Sequence, residues 1–185
     1  VIACGDIASN YYFSLTSETC ELPPAPPNDL CADAIEVVEG VYDYPTINAL
    51  TDGPTTPNCS GYGSVNAWND VWYSWIAPMD GLGQVSTCDT VDYDSKMVAY
   101  DGTCTDLREV GCNDDGPNCA GFTSLMVFPC EEGVEYLIRI GGYADGQTGS
   151  GTFELSVREP CDYTPPKGAI PEVETCFENY PDGIN

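Results

Sequence analysis

The sequence predicts an all-β fold: an antiparallel two-sheet β-sandwich, stabilised by disulfides, with extended N- and C-terminal arms. Three observations predict it. Apolar and polar residues alternate with a period of two in one segment after another. Turn clusters, drawn from 19 Gly and 15 Pro, separate those segments. Eleven cysteines in 185 residues supply a covalent framework of the kind found in oxidising surroundings.

Taken in order, residues 1–27 form an N-terminal arm. Asn10-Tyr11-Tyr12-Phe13-Ser14-Leu15 reads as its one strand, bracketed by Cys4 and Cys20. Pro23-Pro24-Ala25-Pro26-Pro27 then makes a stiff, extended linker with few backbone donors. The body spans 28–158. Residues 32–36 read as a turn of helix leading into a strand over 36–42. Val71, Tyr73 and Trp75 share one strand face, and Trp72, Ser74 and Ile76 the other. Met97 and Ala99 alternate with Lys96, Val98 and Tyr100. Val134, Tyr136, Ile138 and Ile140 alternate with Glu135, Leu137 and Arg139. Phe153, Leu155 and Val157 alternate with Thr152, Glu154, Ser156 and Arg158. Turns are predicted at Asp80-Gly81-Leu82-Gly83, Asp101-Gly102, Asp114-Asp115-Gly116-Pro117 and Asp145-Gly146. Short strands at this spacing argue for two stacked antiparallel sheets. After Pro160 the alternation stops, and 159–185 read as an irregular, Cys-containing C-terminal arm or connector.

Charge narrows the function. The formal net charge is −25, and histidine is absent. The five basic residues, Lys96, Arg108, Arg139, Arg158 and Lys167, are too few and too scattered to hold a phosphate backbone, so no nucleic-acid partner is expected. No apolar run reaches the length of a membrane span. Without imidazole the usual general base is missing, and Ser, Thr or Cys nucleophiles lack their customary partner. The expectation is therefore not an enzyme. Dense cysteine in an acidic chain points to an extracellular or cell-surface location. The chain opens Val1-Ile2-Ala3-Cys4, which fits a mature secreted product or a piece of a longer chain.

Several ordered segments carry a family likeness. They are Asp70-Val71-Trp72-Tyr73, Gln84-Val85-Ser86-Thr87-Cys88, the run from Tyr93 to Gly102, Cys112-Asn113-Asp114-Asp115, the run from Tyr136 to Tyr143, and Gly149-Ser150-Gly151-Thr152-Phe153-Glu154-Leu155. Together they resemble the bacterial pre-peptidase C-terminal domain, in the cysteine-rich version of large planctomycete-type surface proteins. The likeness covers roughly residues 28–158. It implies a jelly-roll-like, non-catalytic β-sandwich, with calcium or a polymeric ligand bound in some members. It also implies a calcium site at Asn28, Asp29 and Asp70. An Asn/Asp turn at the end of the linker is the competing reading of those positions. The relatives' further acidic linker residues are replaced here by Pro23–Pro27.

A second metal candidate comes from the residues alone. Asn113-Asp114-Asp115, with Asp94 or Asp101, would place adjacent carboxylates where a hard divalent cation relieves their repulsion. A polar turn is the alternative. Cysteine spacing does not suit zinc, so disulfides are expected. Nearness in sequence pairs Cys4 with Cys20, Cys161 with Cys176, Cys104 with Cys112, and Cys31 with Cys59. The odd count leaves one thiol free or joined to another chain. Asn58-Cys59-Ser60 fits the N-glycan acceptor pattern. Trp68, Trp72 and Trp75 could stack on a sugar or pack in the core.

Two functions follow. One is a structural protein that assembles with copies of itself into a filament or surface layer, through arms such as the strand bearing Tyr11, Phe13 and Leu15. The other is an accessory domain that binds a surface glycan or another ligand for a larger secreted protein.

Overall fold

A computed structural model describes residues 23–59 and 64–159 of the chain. Among these residues nine strands form two sheets, with 3-10 turns and no α-helix. The five-stranded sheet runs β1 (Ile35–Val37), β3 (Trp68–Ile76), β8 (Glu135–Gly142), β5 (Ser95–Thr103), β6 (Asp106–Asn113). The four-stranded sheet runs β2 (Gly40–Pro45), β9 (Ser150–Arg158), β4 (Gly81–Ser86), β7 (Leu125–Cys130). The jelly-roll-like sandwich expected from the sequence is thus the observed architecture.

Alternation places the core between the sheets. Val71, Tyr73 and Trp75 of β3, Met97 and Ala99 of β5, and Tyr136, Ile138 and Ile140 of β8 all point inward. They meet Val85, Met126, Phe128, Phe153 and Leu155 from the other sheet. Phe153 is the hub, with ring centroids 4.6 Å from Tyr73, 5.3 Å from Tyr42 and 5.8 Å from Tyr44. Gly83 makes room for a second aromatic group: a Cβ there would lie 2.8 Å from Phe128 and 3.0 Å from Trp75. Burying side chains of this size supplies roughly 1.5–3 kcal/mol each.

Local details depart from the sequence reading. The strand expected over 36–42 is two strands in different sheets. The chain leaves β1 at Val38, whose N–H donates to the Tyr42 hydroxyl while that hydroxyl donates back to the Val38 carbonyl. One phenol thereby satisfies the backbone where it changes sheets. β1 lies parallel to β3, the one parallel pair among the described strands, whose other pairings are all antiparallel. Gly81 and Gly83, expected in a turn, belong to β4. The β5–β6 turn falls at Cys104-Thr105, beyond Asp101-Gly102, because Thr103 still pairs with Asp106.

The two sheets also differ in a way that alternation does not reveal. The four-stranded sheet exposes its outer residues, among them Val41, Asp43, Glu154 and Arg158. The outer face of the five-stranded sheet is buried as well. Trp72, Val98, Tyr100 and Leu137 form a second apolar cluster there with Cys31. Residues 26–34, 46–59 and 64–67 lie over it, tied to the sheet by the contacts of Asn28, Asp52, Pro54, Cys59, Ser64 and Ala67.

Candidate functional site

The groups with chemical potential gather on this covered outer face. β8 turns Arg139 outward, and its side chain is fully buried. Its Nε donates to Asp70 Oδ2 at 2.8 Å and its Nη2 to Asp70 Oδ1 at 3.2 Å. The guanidinium also donates to the carbonyls of Pro54 and Ala67, each at 2.7 Å. The Trp72 ring stacks against it, 5.6 Å from Cζ to the ring centroid. Burial disfavours the guanidinium charge, but the Asp70 carboxylate more than offsets this and holds the Arg139 pKa above its ordinary value.

Lys96 acts in the same way from the neighbouring strand, β5. Its Nζ is fully buried and donates to the carbonyls of Cys59 and Ser64, each at 2.7 Å. Asp114 Oδ2 lies 3.6 Å from it. Two of the chain's five basic residues therefore pin the loop after β2 onto the sheet from beneath. The sequence reading missed this role. The available signal was a long cation at an outward strand position flanked by apolar residues.

The three positions that family likeness links to calcium serve as cross-links here. Asn28 Nδ2 donates to the Trp72 carbonyl at 2.8 Å, and the Trp72 N–H donates to the Asn28 carbonyl at 2.9 Å. Asp29 Oδ1 accepts the Leu50 N–H at 2.6 Å. Both oxygens of Asp70 are engaged by Arg139, so a guanidinium stands where a cation would bind.

The second acidic group is arranged differently. Asp114 is 7% exposed, and neither carboxylate oxygen has a hydrogen-bond partner. Asp94 Oδ1 likewise lacks one. Burial first, and then the charges of Asp114 and Asp115, push the Asp94 carboxyl up to about 6. Burial also raises Asp114; Lys96 opposes that rise and Asp115 adds to it. Asp94 and Asp114 thus both feel acidic neighbours, while Asp101 is taken by exposed Arg108 at 2.9 Å. Among the described residues, no three acidic or thiol side chains stand in a ready ligating geometry. Asp94 borders an open groove of about 680 Å³ that also touches Asp92, Phe122, Gln147 and Thr148.

The disulfides correct the pairing read from sequence. Cys31 bonds Cys104, with Cα atoms 5.8 Å apart, and Cys88 bonds Cys119 at 5.0 Å. Cys104 cannot reach Cys112, because β6 separates them: six residues of strand span about 20 Å, against a limit of about 7 Å for a bridge. Cys31 is thereby unavailable to Cys59. Cys59, Cys112 and Cys130 are free thiols. Cys4, Cys20, Cys161 and Cys176, and the proposed assembly residues Tyr11, Phe13 and Leu15, lie outside the described residues. Asn58 is exposed in the 3-10 turn Pro57–Cys59. Trp72 and Trp75 are buried, so neither offers a face to a sugar. No helix among the described residues is long and apolar enough to cross a membrane. A scan of protein-family models finds no match to this chain, and a search of curated proteins finds none either.

Proposed function

We propose that this chain is a non-catalytic extracellular building block that joins copies of itself into a filament or surface layer by strand addition. The observation that carries the reading is the edge where β1 and β2 leave the sandwich. Among the described residues each has a single strand neighbour, β3 and β9 respectively. Beside them Ile35, Val38, Val41 and Ile76 are exposed, from 40% to 65%. An edge strand with apolar neighbours is a template for pairing with another chain. Tyr11, Phe13 and Leu15 have the alternation such an added strand needs. The resemblance to the bacterial pre-peptidase C-terminal domain supports a non-catalytic role.

The test is deletion of residues 1–20, followed by electron microscopy and light scattering. The full chain should polymerise and the shortened one should remain a soluble sandwich. Assembly that persists without the segment counts against strand addition. A full chain that stays monomeric counts against the structural role itself.

The cofactor we propose is calcium at Asp94, Asp114 and Asp115, with backbone carbonyls and water completing the shell. The buried oxygens of Asp114 and Asp94 that accept no hydrogen bond support it.

A glycan-binding role is the second reading. The groove beside Asp94 favours it, because Phe122 is 65% exposed next to polar Gln147 and Thr148. Loss of glycan-array binding on Phe122→Ala would support it, and a silent array for the wild type would remove it.

A further inference from the structure

The two free thiols on the covered face are partners. Cys112 lies on β6 opposite Val98 of β5, and Val98 belongs to the outer apolar cluster, so Cys112 points to that same side. The 3-10 turn Pro57–Cys59 rests against β6. Lys96 holds that turn down by its Nζ, 2.7 Å from the Cys59 carbonyl. The Cys112 thiol is thereby brought beside the Cys59 thiol, whose proximity, ahead of burial, raises the Cys112 pKa above the ordinary thiol value. Cys59 is 6% exposed, and Cys112 is half-buried. Cys130 stands apart: it is on β7, within the inner core, its sulfur 3.8 Å from the Met79 carbonyl. Neither Cys59 nor Cys112 takes part in a disulfide already formed.

We infer that Cys59 and Cys112 are an oxidation site that closes to a third disulfide, sealing the covering loop onto β6. The oxidant is a small-molecule disulfide of the glutathione class. One protein sulfur gives up its proton and attacks the oxidant's S–S bond, forming a mixed disulfide and releasing one small thiol. The second protein sulfur gives up its proton, attacks the protein-bound sulfur and releases the second small thiol. Two protein thiols are oxidised and one small disulfide is reduced to two thiols, so atoms and electrons balance. The packing of the Pro57–Cys59 turn on β6, which brings the two thiols together, makes the second, intramolecular step the favoured fate of the mixed disulfide.

The experiment uses the full chain. It is incubated in a buffer of oxidised and reduced glutathione, denatured in acid, alkylated with N-ethylmaleimide, digested and mapped by mass spectrometry. The expected product joins the peptides of Cys59 and Cys112, short of two hydrogens, with Cys130 alkylated. Alkylation of both Cys59 and Cys112 after this treatment overturns the inference. So does finding either of them joined to a different cysteine or to another chain. A second measurement needs no peptide map. Cys112→Ser should melt about 10 °C below the oxidised wild type, and Cys130→Ser should still gain stability on oxidation. Equal melting of the Cys112→Ser protein and the oxidised wild type also overturns it.

Discussion

Arg139 and Asp70, 69 residues apart in sequence, meet through two hydrogen bonds with both side chains fully buried. Removing one partner leaves the other charged and without compensation. Arg139→Met should therefore cost about 3–5 kcal/mol in urea unfolding. The double variant Asp70→Leu with Arg139→Met should cost clearly less than the two single changes added together. Strict additivity would mean that the pair is not a unit.

Lys96 tethers the loop through Cys59 and Ser64. Lys96→Met should cost about 3 kcal/mol, since it removes charged hydrogen bonds and strands Asp114. Amide exchange should accelerate first at residues 56–65, before the strands are affected. A uniform increase across the sandwich would instead make Lys96 a global core residue.

Calcium at millimolar concentration should raise the melting temperature. Mass action gives about 2.7 kcal/mol when the ion is at 100 times its dissociation constant. Asp114→Asn should abolish the shift, whereas Asp29→Asn should keep it, because Asp29 is committed to Leu50. Without calcium, Asp94→Asn should stabilise the protein at neutral pH by about 0.5 kcal/mol, since ionisation of Asp94 is disfavoured in the fold. A melting temperature unmoved by calcium would remove this site.

Alkaline titration should unfold the protein. Burial pushes Tyr73 and Tyr100 up to about 12, above the value near 10 that an unfolded tyrosine has. Between pH 10 and 12 the folded state then holds more protons than the unfolded state, so stability falls as pH rises. Each tyrosine contributes at most about 1.4 kcal/mol per pH unit. Tyrosinate absorbance should appear together with loss of structure. Gradual ionisation with the circular dichroism unchanged would contradict that burial.

The sandwich was legible because period two is a local property. Ile138 and Ile140 announce an inward face wherever their strand ends up. The parallel β1–β3 pair was not legible, since three residues carry too little pattern to reveal a partner 38 positions away, the offset between Ile35 and Tyr73. The disulfides failed for a related reason. Nearness in sequence favours Cys104 with Cys112, but an extended strand converts eight positions into distance. Asp114 was marked as a metal candidate from its neighbours alone. Its buried partner Lys96 was not, because a cation in an alternating strand reads as a solvent contact until something covers it. Whether a face is covered is decided by loops, and loops carry no periodicity.

Loading one sheet on both sides has a geometric consequence. With 46–59 and 64–67 tied down over the five-stranded side, that side cannot stack against a second molecule without first losing its lid. Its partner sheet turns a mixed, hydrophilic surface outward. Growth by piling slabs is therefore obstructed in one direction and unrewarded in the other, which leaves the strand margins, β1 with β2 at one end and β6 with β7 at the other. If copies add along a margin as proposed, they extend in one dimension, and a thread rather than a plaque is the expected product.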